Sequence, residues 1–148
     1  MSKRPNLQLE TFVPYRLSIA SNAVSDVIAG AYQNLFEISI IEWRLITILA
    51  EKKACNQIEL AKITRMDKVT VNRGANTLVA RKFVVRKPKE NDRRSHLLAL
   101  TTAGQKIYKA AAPKAQALEK KILKDFSRSE VTQLITMLLR LESAALNV

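Results

Sequence analysis

The chain has 148 residues, of which 47% are apolar and 26% charged, and its formal net charge is +12. Three glycines and four prolines exclude a low-complexity chain, and the length predicts a single packed domain. No apolar run approaches the ~20 residues that cross a bilayer, and the single Cys55 has no internal disulfide partner, so a soluble cytoplasmic protein without a membrane partner is expected.

The positive charge is concentrated in the middle third of the chain. Residues 52–94 contain thirteen basic and four acidic side chains, whereas residues 1–51 contain four basic and five acidic ones. A field of this kind attracts polyanions. A basic surface that only serves solubility is the simpler alternative. An anionic membrane is less favoured, because the segment lacks a long amphipathic helix with exposed aromatic residues.

Two helices are predicted in the first third. Pro14 suits the first turn of a long helix that continues to about Glu37 with apolar residues at helical spacing. The segment from Ser39 to Glu42 is a capping box that opens the second helix, IIEWRLITILAEKK. The residues expected to be buried in this second helix are Ile41, Trp43, Leu45, Ile48 and Leu49.

A helix-turn-helix is predicted next. Asn56 is a candidate N-cap for the short helix QIELAKIT, whose apolar residues are Ile58, Leu60, Ala61 and Ile63. Asp67 is a candidate N-cap for a second helix, KVTVNRGANTLVARK. Two short helices joined by a tight turn, the second of them basic and polar on one side, are typical of this motif. We expect Val71, Ala75 and Leu78 to face inward.

A β-hairpin and two long helices complete the chain. Residues 83–85 and 94–100 are predicted strands, joined by the loop KPKEND. Thr101-Thr102 caps a helix that runs to about Phe126 and bends near Pro113, and Ser127 opens the last helix. A helix-turn-helix followed directly by a hairpin is the plan of a winged helix. The fold class predicted is therefore mainly α with a small β-hairpin, and the apolar terminal helices predict packing against a second copy.

The segment from about Glu42 to Gly104 resembles the MarR family of bacterial winged-helix transcription regulators. The matching pieces are EWRLITIL, IELAKIT, DKVTVNR, VVRKPKENDRRSHLLALT and TTAG. The most specific is the wing pattern of Asp92 and Arg94 followed by Leu100 and Thr101. Because the flanking helices also fit, the resemblance covers nearly the whole chain.

The resemblance implies a domain organisation and a function. Residues 1–148 would be one domain, with a winged-helix DNA-binding lobe at 39–101 and dimerisation helices in 1–38 and 102–148. The function implied is that of a nucleoid-associated, sequence-specific regulator, usually a repressor, that binds double-stranded DNA as a homodimer on a pseudo-palindromic operator. No cofactor and no catalytic activity are implied. The alternatives are an architectural DNA binder without an effector, and a winged-helix module that binds an acidic protein partner.

Two positions depart from the family pattern. Gly74 stands where the recognition helix usually has a large apolar residue, so the helix either sits closer to its neighbour or is weakened there. Lys82 stands where a helix-ending glycine is common, so the helix must stop without the residue that adopts the left-handed conformation easily.

The exposed early residues of the helix that follows Asp67 are the candidate DNA contacts. Arginine pairs bidentately with guanine and asparagine with adenine, while lysine and threonine more often hold phosphates. The alternative is the polar face of an ordinary surface helix. The predicted contacts are Lys68, Thr70, Asn72, Arg73 and Asn76.

The hairpin supplies a second set of candidates. Lys89, Arg93 and Arg94 can place positive charge in a minor groove or against phosphates. Asp92 would repel phosphate, and the resemblance implies that it restrains a neighbouring arginine instead. A turn residue that bonds its own backbone is the alternative for Asp92.

An effector pocket and reactive side chains are the remaining candidate sites. The family's pocket lies between the DNA-binding lobe and the dimer helices, and Tyr15, Arg16, Trp43 and Arg44 are the candidates to bind a small aromatic or phenolic effector there. One histidine and one cysteine cannot build a metal site of several such ligands. We expect His96 to be a partly buried strand residue and Cys55 an inert thiol.

Overall fold

The computed structural model describes residues 6–89 and 92–148, and for Lys89 and residues 92–95 it describes the backbone alone. Residues up to Ala115 form one compact unit and Gln116–Val148 form a second. The predicted fold class, mainly helical with a small β-wing and long terminal helices, is confirmed. In chain order the elements are α1 (Val13–Phe36), α2 (Ile40–Lys52), β1 (Ala54–Cys55), α3 (Gln57–Thr64), α4 (Lys68–Ala80), β2 (Val84–Lys89), β3 (Asp92–Leu100), α5 (Thr102–Ile122) and α6 (Arg128–Leu146).

The predicted helix starts are confirmed by hydrogen bonds. Ser39 Oγ accepts from the Glu42 amide at 3.1 Å, and Glu42 Oε1 accepts from the Ser39 amide at 3.4 Å, which completes the capping box. Asn56 Oδ1 accepts from the Glu59 amide at 2.8 Å. The Thr101 and Ser127 hydroxyl oxygens accept in the same way from the amides of Gly104 and Glu130, each at 3.1 Å. Such caps depend only on local chain geometry. α5 ends at Ile122, earlier than its predicted end at about Phe126.

The end of α4 lacks the glycine that often terminates a helix, and Lys82 adopts the left-handed conformation in its place. Lys82 has a φ of 64°. Its amide donates to the Val79 carbonyl at 3.0 Å, and the Phe83 amide donates to the Leu78 carbonyl at 3.0 Å. These two bonds form a Schellman motif. A lysine therefore occupies the conformation that glycine adopts more easily, because a Cβ atom crowds the backbone there.

We expect Lys82→Gly to raise the free energy of unfolding by about 1 kcal/mol, because it removes the crowded Cβ atom and keeps both backbone bonds. Urea unfolding measures the change. The matched control is Lys106→Gly, an exposed position inside α5, where glycine costs about 1 kcal/mol. Equal destabilisation by both substitutions would contradict the prediction.

The sheet contains three antiparallel strands in the order β1-β3-β2. Ala54 and Cys55 pair with Ala99 and Leu98. β1 was not predicted, because two residues carry no periodicity. The predicted loop KPKEND is wrong, since β2 continues through Lys89 and β3 begins at Asp92. Pro88 is tolerated within β2 because this is an edge strand, and the pairing register shifts directly after it.

The core of the first unit is built around α2. Its buried residues are Trp43, Leu45, Ile46 and Leu49; the expected Ile41 and Ile48 are only partly buried. In α3 the apolar residues Ile58 and Ile63 are exposed, at 61% and 48%. Only the side of this short helix that carries Leu60 faces the core, and the two isoleucines lie on either side of it.

Gly104 lies in the first turn of α5, against the start of β2. A Cβ atom there would overlap the carbonyl oxygen of Phe83 and lie 3.2 Å from Leu100 Cδ2. The same Phe83 oxygen accepts a hydrogen bond from the Thr101 amide at 3.0 Å. Glycine therefore permits a close approach between α5 and the backbone at the base of the wing.

Candidate nucleic-acid interface

The start of α4 is fixed by its N-cap. Asp67 Oδ1 accepts from the Thr70 amide at 2.8 Å, and Thr70 Oγ1 donates to Asp67 Oδ2 at 2.7 Å. These bonds, the backbone one first, lower the pKa of Asp67 below its usual 3.8. Because the folded-state pKa is depressed, the cap contributes its stability above the unfolded pKa and loses it as pH falls through the folded value.

The inner face of α4 packs against α2. Val71, Ala75 and Leu78 are buried, as predicted. Gly74 is buried with them, and a Cβ atom on it would lie 2.9 Å from Leu45 Cδ1. Of the two explanations for Gly74, these distances support close packing of α4 on α2.

The outer face of α4 is exposed. Val69 is 60% exposed, and Lys68, Asn72, Arg73 and Asn76 are exposed as well. Positions 69, 72, 73 and 76 share one helix face by their spacing. We call these four residues the α4 stripe. Val69 was missed by the sequence analysis, although its spacing from Asn72 and Arg73 was a usable signal.

Three of the predicted contacts already have partners within the protein. The Thr70 hydroxyl donates to Asp67, as described above. Gln57 Nε2 donates to Asn72 Oδ1 at 3.4 Å. Arg86 Nη2 donates to Asn76 Oδ1. Arg86 is half-buried on β2 and was not among the predicted site residues, because a contact between a strand and a helix leaves no local pattern.

The end of α4 is held by Arg81. Arg81 Nη1 donates to the Glu37 carbonyl at 2.7 Å and to Glu42 Oε2 at 3.1 Å. Its guanidinium carbon lies 4.9 Å from the centre of the Phe83 ring. The side chain thus joins the end of α4 to the corner between α1 and α2. Arg81 was not among the predicted site residues.

The wing candidates are placed by their backbones only. Lys89 pairs with Asp92 across the β2–β3 register, and Arg93 and Arg94 belong to β3. The side chains of all four lie outside the described atoms. The restraint of Arg94 by Asp92 therefore stays a prediction.

The four predicted effector-site residues are in different surroundings. Tyr15 and Arg16 are exposed on α1, and Arg44 is exposed on α2. Trp43 is only 8% exposed. Its ring lies between Tyr32 and Tyr108, with centroid distances of 4.7 and 5.9 Å. Trp43 is thus part of the aromatic core, and a pocket formed by these four residues stays a prediction.

A cavity of about 420 Å³ lies elsewhere in the first unit, between α2, the two longer strands and the start of α5. Its walls combine apolar side chains with three ammonium groups and one amide. The lining residues are Leu49, Ala50, Lys53, Lys87, Ala99, Leu100, Gln105, Tyr108 and Lys109.

Cys55 and His96 are the candidate reactive side chains. Cys55 is buried, and burial, together with the nearby Glu59, raises the pKa of its thiol, which favours an inert residue. His96 is exposed, so its predicted partial burial is wrong; this part of β3 extends beyond the core. Among the described residues no group of His, Cys, Asp and Glu could hold a metal ion. None of the helices within 6–89 and 92–148 is both long enough and apolar enough to span a membrane.

Comparison with known proteins gives a consistent result. The model of the MarR family matches residues 36–95. The HTH-type transcriptional regulator BilQ of Clostridium symbiosum is 31% identical over 93 residues, which are 63% of this chain. The matched segment spans 65% of the length of that relative.

Solved structures extend the likeness to most of the chain. A MarR/EmrR family transcriptional regulator from Acinetobacter sp. ADP1 superimposes with a TM-score of 0.89 and 25% identity, covering 96% of this chain and 100% of that one. A MarR variant from E. coli, complexed with operator DNA, has a TM-score of 0.80 and 25% identity, covering 93% and 99%. The matched family model, the similar relative and the shared fold make this chain similar to the MarR family, a family of transcription regulators and not of enzymes.

Proposed function

We propose that the protein is a sequence-specific, DNA-binding transcription regulator. The observation that carries this proposal is the α4 stripe. Arg73, Asn72 and Asn76 are held on the exposed side of a helix whose opposite side is buried and whose first turn is capped by Asp67. The N-terminal residues of such a second helix contact base edges in a major groove.

Charge and relatives support the same function. The basic middle third of the chain contains α3, α4, β2 and the start of β3, so the attraction for phosphates is greatest where base contacts would form. The MarR variant from E. coli was crystallised with operator DNA. A protein of similar fold from Listeria monocytogenes, which has 19% identity and a TM-score of 0.80, was crystallised with a 26mer DNA.

The active form that we propose is a homodimer. No residue of α6 is buried, and the apolar side chains of α1 are also largely exposed. A second copy would cover such surfaces. Two recognition helices would then contact a pseudo-palindrome whose half-sites are about 10 bp apart. Repression of a promoter, in the cytoplasm at the nucleoid, is the role we propose for the complex. The exposed apolar residues of α6 are Leu134, Ile135, Met137, Leu138, Leu139, Leu141 and Leu146.

Selection of bound fragments from a genomic library, followed by gel shifts, tests the function. We expect Arg73→Ala to relax base preference at a cost of about 1–3 kcal/mol, because it removes a bidentate base contact. Arg94→Ala should weaken binding evenly across sequences, since its target is the phosphate backbone. Arg128→Ala is the matched control, because it removes the same charge from an exposed site on α6.

The alternatives predict other outcomes. An architectural binder would select no common sequence and would lose affinity evenly in both arginine variants. A protein-interaction module would bind DNA with unchanged affinity at moderate salt after either substitution. Binding of both variants at the level of the Arg128→Ala control would therefore contradict the proposed function.

We also propose an effector that lowers operator affinity. The lysine-lined cavity has the volume expected for a small-molecule site, and its ammonium groups on apolar walls suit an aromatic carboxylate or phenolate. The effector would act by binding one arrangement of the dimer more tightly than the other. The earlier prediction of a site at Tyr15, Arg16, Trp43 and Arg44 offers less support, because Trp43 is buried in the core.

One titration separates the two candidate sites. We expect benzoate to release operator DNA at lower concentration than the uncharged benzyl alcohol, because only the carboxylate pairs with the lysines. Lys109→Met should abolish this difference, whereas Arg16→Met should keep it. Loss of the difference in Arg16→Met alone would favour the site predicted from the sequence.

A further inference from the structure

The hydrogen bond between Arg86 and Asn76 fixes which way the Asn76 amide faces. A guanidinium has only donors. The group of Asn76 that meets Arg86 Nη2 must therefore be the carbonyl oxygen Oδ1. Rotation of the amide by 180° would bring two donors together and lose the bond. The Asn76 NH₂ group consequently faces away from Arg86.

This orientation limits the bases that Asn76 can pair with. The bidentate pairing of asparagine with adenine uses the oxygen to accept from N6 and the nitrogen to donate to N7. Arg86 uses one lone pair of the Asn76 oxygen and holds that oxygen toward itself, so the nitrogen is the group left to turn toward a base. A donor alone matches the acceptors of guanine, N7 and O6, or O4 of thymine. The expectation that Asn76 pairs with adenine thus disagrees with its surroundings.

We propose that Arg86 is a positioning residue that sets base preference: by holding Oδ1 of Asn76 toward itself, it makes Asn76 a donor to guanine or thymine and prevents its bidentate pairing with adenine. The inference rests on the proposed DNA-binding function and specifies the operator that this function requires.

The other residues of the α4 stripe also favour bases that present hydrogen-bond acceptors in the major groove. Arg73 offers only donors. Both oxygens of the Asp67 carboxylate accept from Thr70, so Asp67 serves as the cap of the helix. Val69 is exposed next to these groups and suits the methyl group of thymine. The stripe therefore favours guanine and thymine on the contacted strand.

Asn72 shows why Arg86 is the decisive partner. The Asn72 oxygen accepts from Gln57 at 3.4 Å, but both partners are amides. Each amide has a donor and an acceptor, so the pair keeps a hydrogen bond when both groups rotate. The Asn72 amide can therefore take either orientation and still bond to Gln57. The Asn76 amide can bond to Arg86 in one orientation only.

Selection of operator sequences tests the inference in two steps. The first compares wild type with Asn76→Ala, to find the base pair whose preference depends on Asn76. We expect guanine or thymine on the contacted strand at that pair in wild type. Adenine there, or no pair that depends on Asn76, would overturn the inference.

The second step measures Kd for duplexes that differ only at that pair. In Arg86→Ala the freed oxygen should move the preference toward adenine by about tenfold, the size of one good bidentate pairing. Arg86→Lys keeps a donor and should retain the wild-type preference. If Arg86→Ala lost affinity equally for all duplexes, Arg86 would only contact phosphate or stabilise the fold. This result would overturn its positioning role.

A third measurement needs no protein variant and stays informative if Arg86→Ala fails to fold. Where guanine is preferred, 7-deazaguanine removes N7 and 2-aminopurine removes O6; where thymine is preferred, 5-methyl-2-pyrimidinone removes O4. We expect wild type to bind at least one duplex that lacks such an acceptor about tenfold more weakly. Unchanged affinity for all of these duplexes would overturn the inference and leave the proposed function standing. A wild-type protein that selects no sequence would instead refute the proposed function itself.

Discussion

Replacing Gly104 by alanine is expected to lower the free energy of unfolding by about 3 kcal/mol or more, which exceeds most overpacking substitutions. The new Cβ atom would overlap the Phe83 carbonyl oxygen and lie 3.0 Å from the Phe83 carbonyl carbon. Backbone cannot rotate away as a flexible side chain can. α5 must therefore separate from the start of β2, and the bond from the Thr101 amide to Phe83 is lost.

The control is the same substitution at Gly30 in α1. No atom lies within 4 Å of a Cβ atom placed there, so Gly30→Ala should gain about 0.5–1 kcal/mol from helix propensity. Urea unfolding of both variants gives the comparison. Similar changes in the two variants would contradict the close approach described at Gly104.

Gly74→Leu is expected to lower the free energy of unfolding by about 3 kcal/mol, at the upper end of overpacking effects. The first added atom would already lie 2.9 Å from Leu45 Cδ1 and 3.1 Å from Ile41 Cγ2. Both neighbours belong to α2, and Leu45 is fully buried. α4 must then move outward, so operator affinity should fall even at temperatures where the variant is folded.

A double variant separates crowding from other causes. Leu45→Ala alone leaves a cavity and should cost about 2–5 kcal/mol. Because the larger side chain at position 74 would occupy that space, the pair should cost less than the sum of the single changes. Unfolding of all three variants measures this coupling, and strict additivity would show that Gly74 and Leu45 do not compete for space.

The sequence predicted those features that depend on neighbouring residues. Ser39, Asn56, Asp67 and Ser127 cap helices through bonds to amides three positions later, so their spacing was sufficient. The winged-helix plan followed from the order of these elements. The inward residues of α4 were also predicted, because helical periodicity is visible in any single chain.

The missed features depend on contacts between distant residues or on space. Arg86 on β2 contacts Asn76 on α4, and Arg81 contacts the Glu37 carbonyl between α1 and α2. The two-residue β1 exists only because β3 lies beside it. The exposure of Ile58 and Ile63 was not predicted, because apolar character alone does not show which side of an eight-residue helix is covered.

The position of β3 has a consequence for how the lobe would meet DNA. β3 is the central strand, paired with β2 on one side and on the other with β1, which leads directly into the Asn56 cap of α3. The wing and the two helices of the helix-turn-helix are therefore joined by main-chain bonds and keep a fixed separation. A duplex whose groove widths do not match this separation must bend or twist to fit. Operators would then be distinguished partly by their deformability, including at base pairs that no side chain contacts.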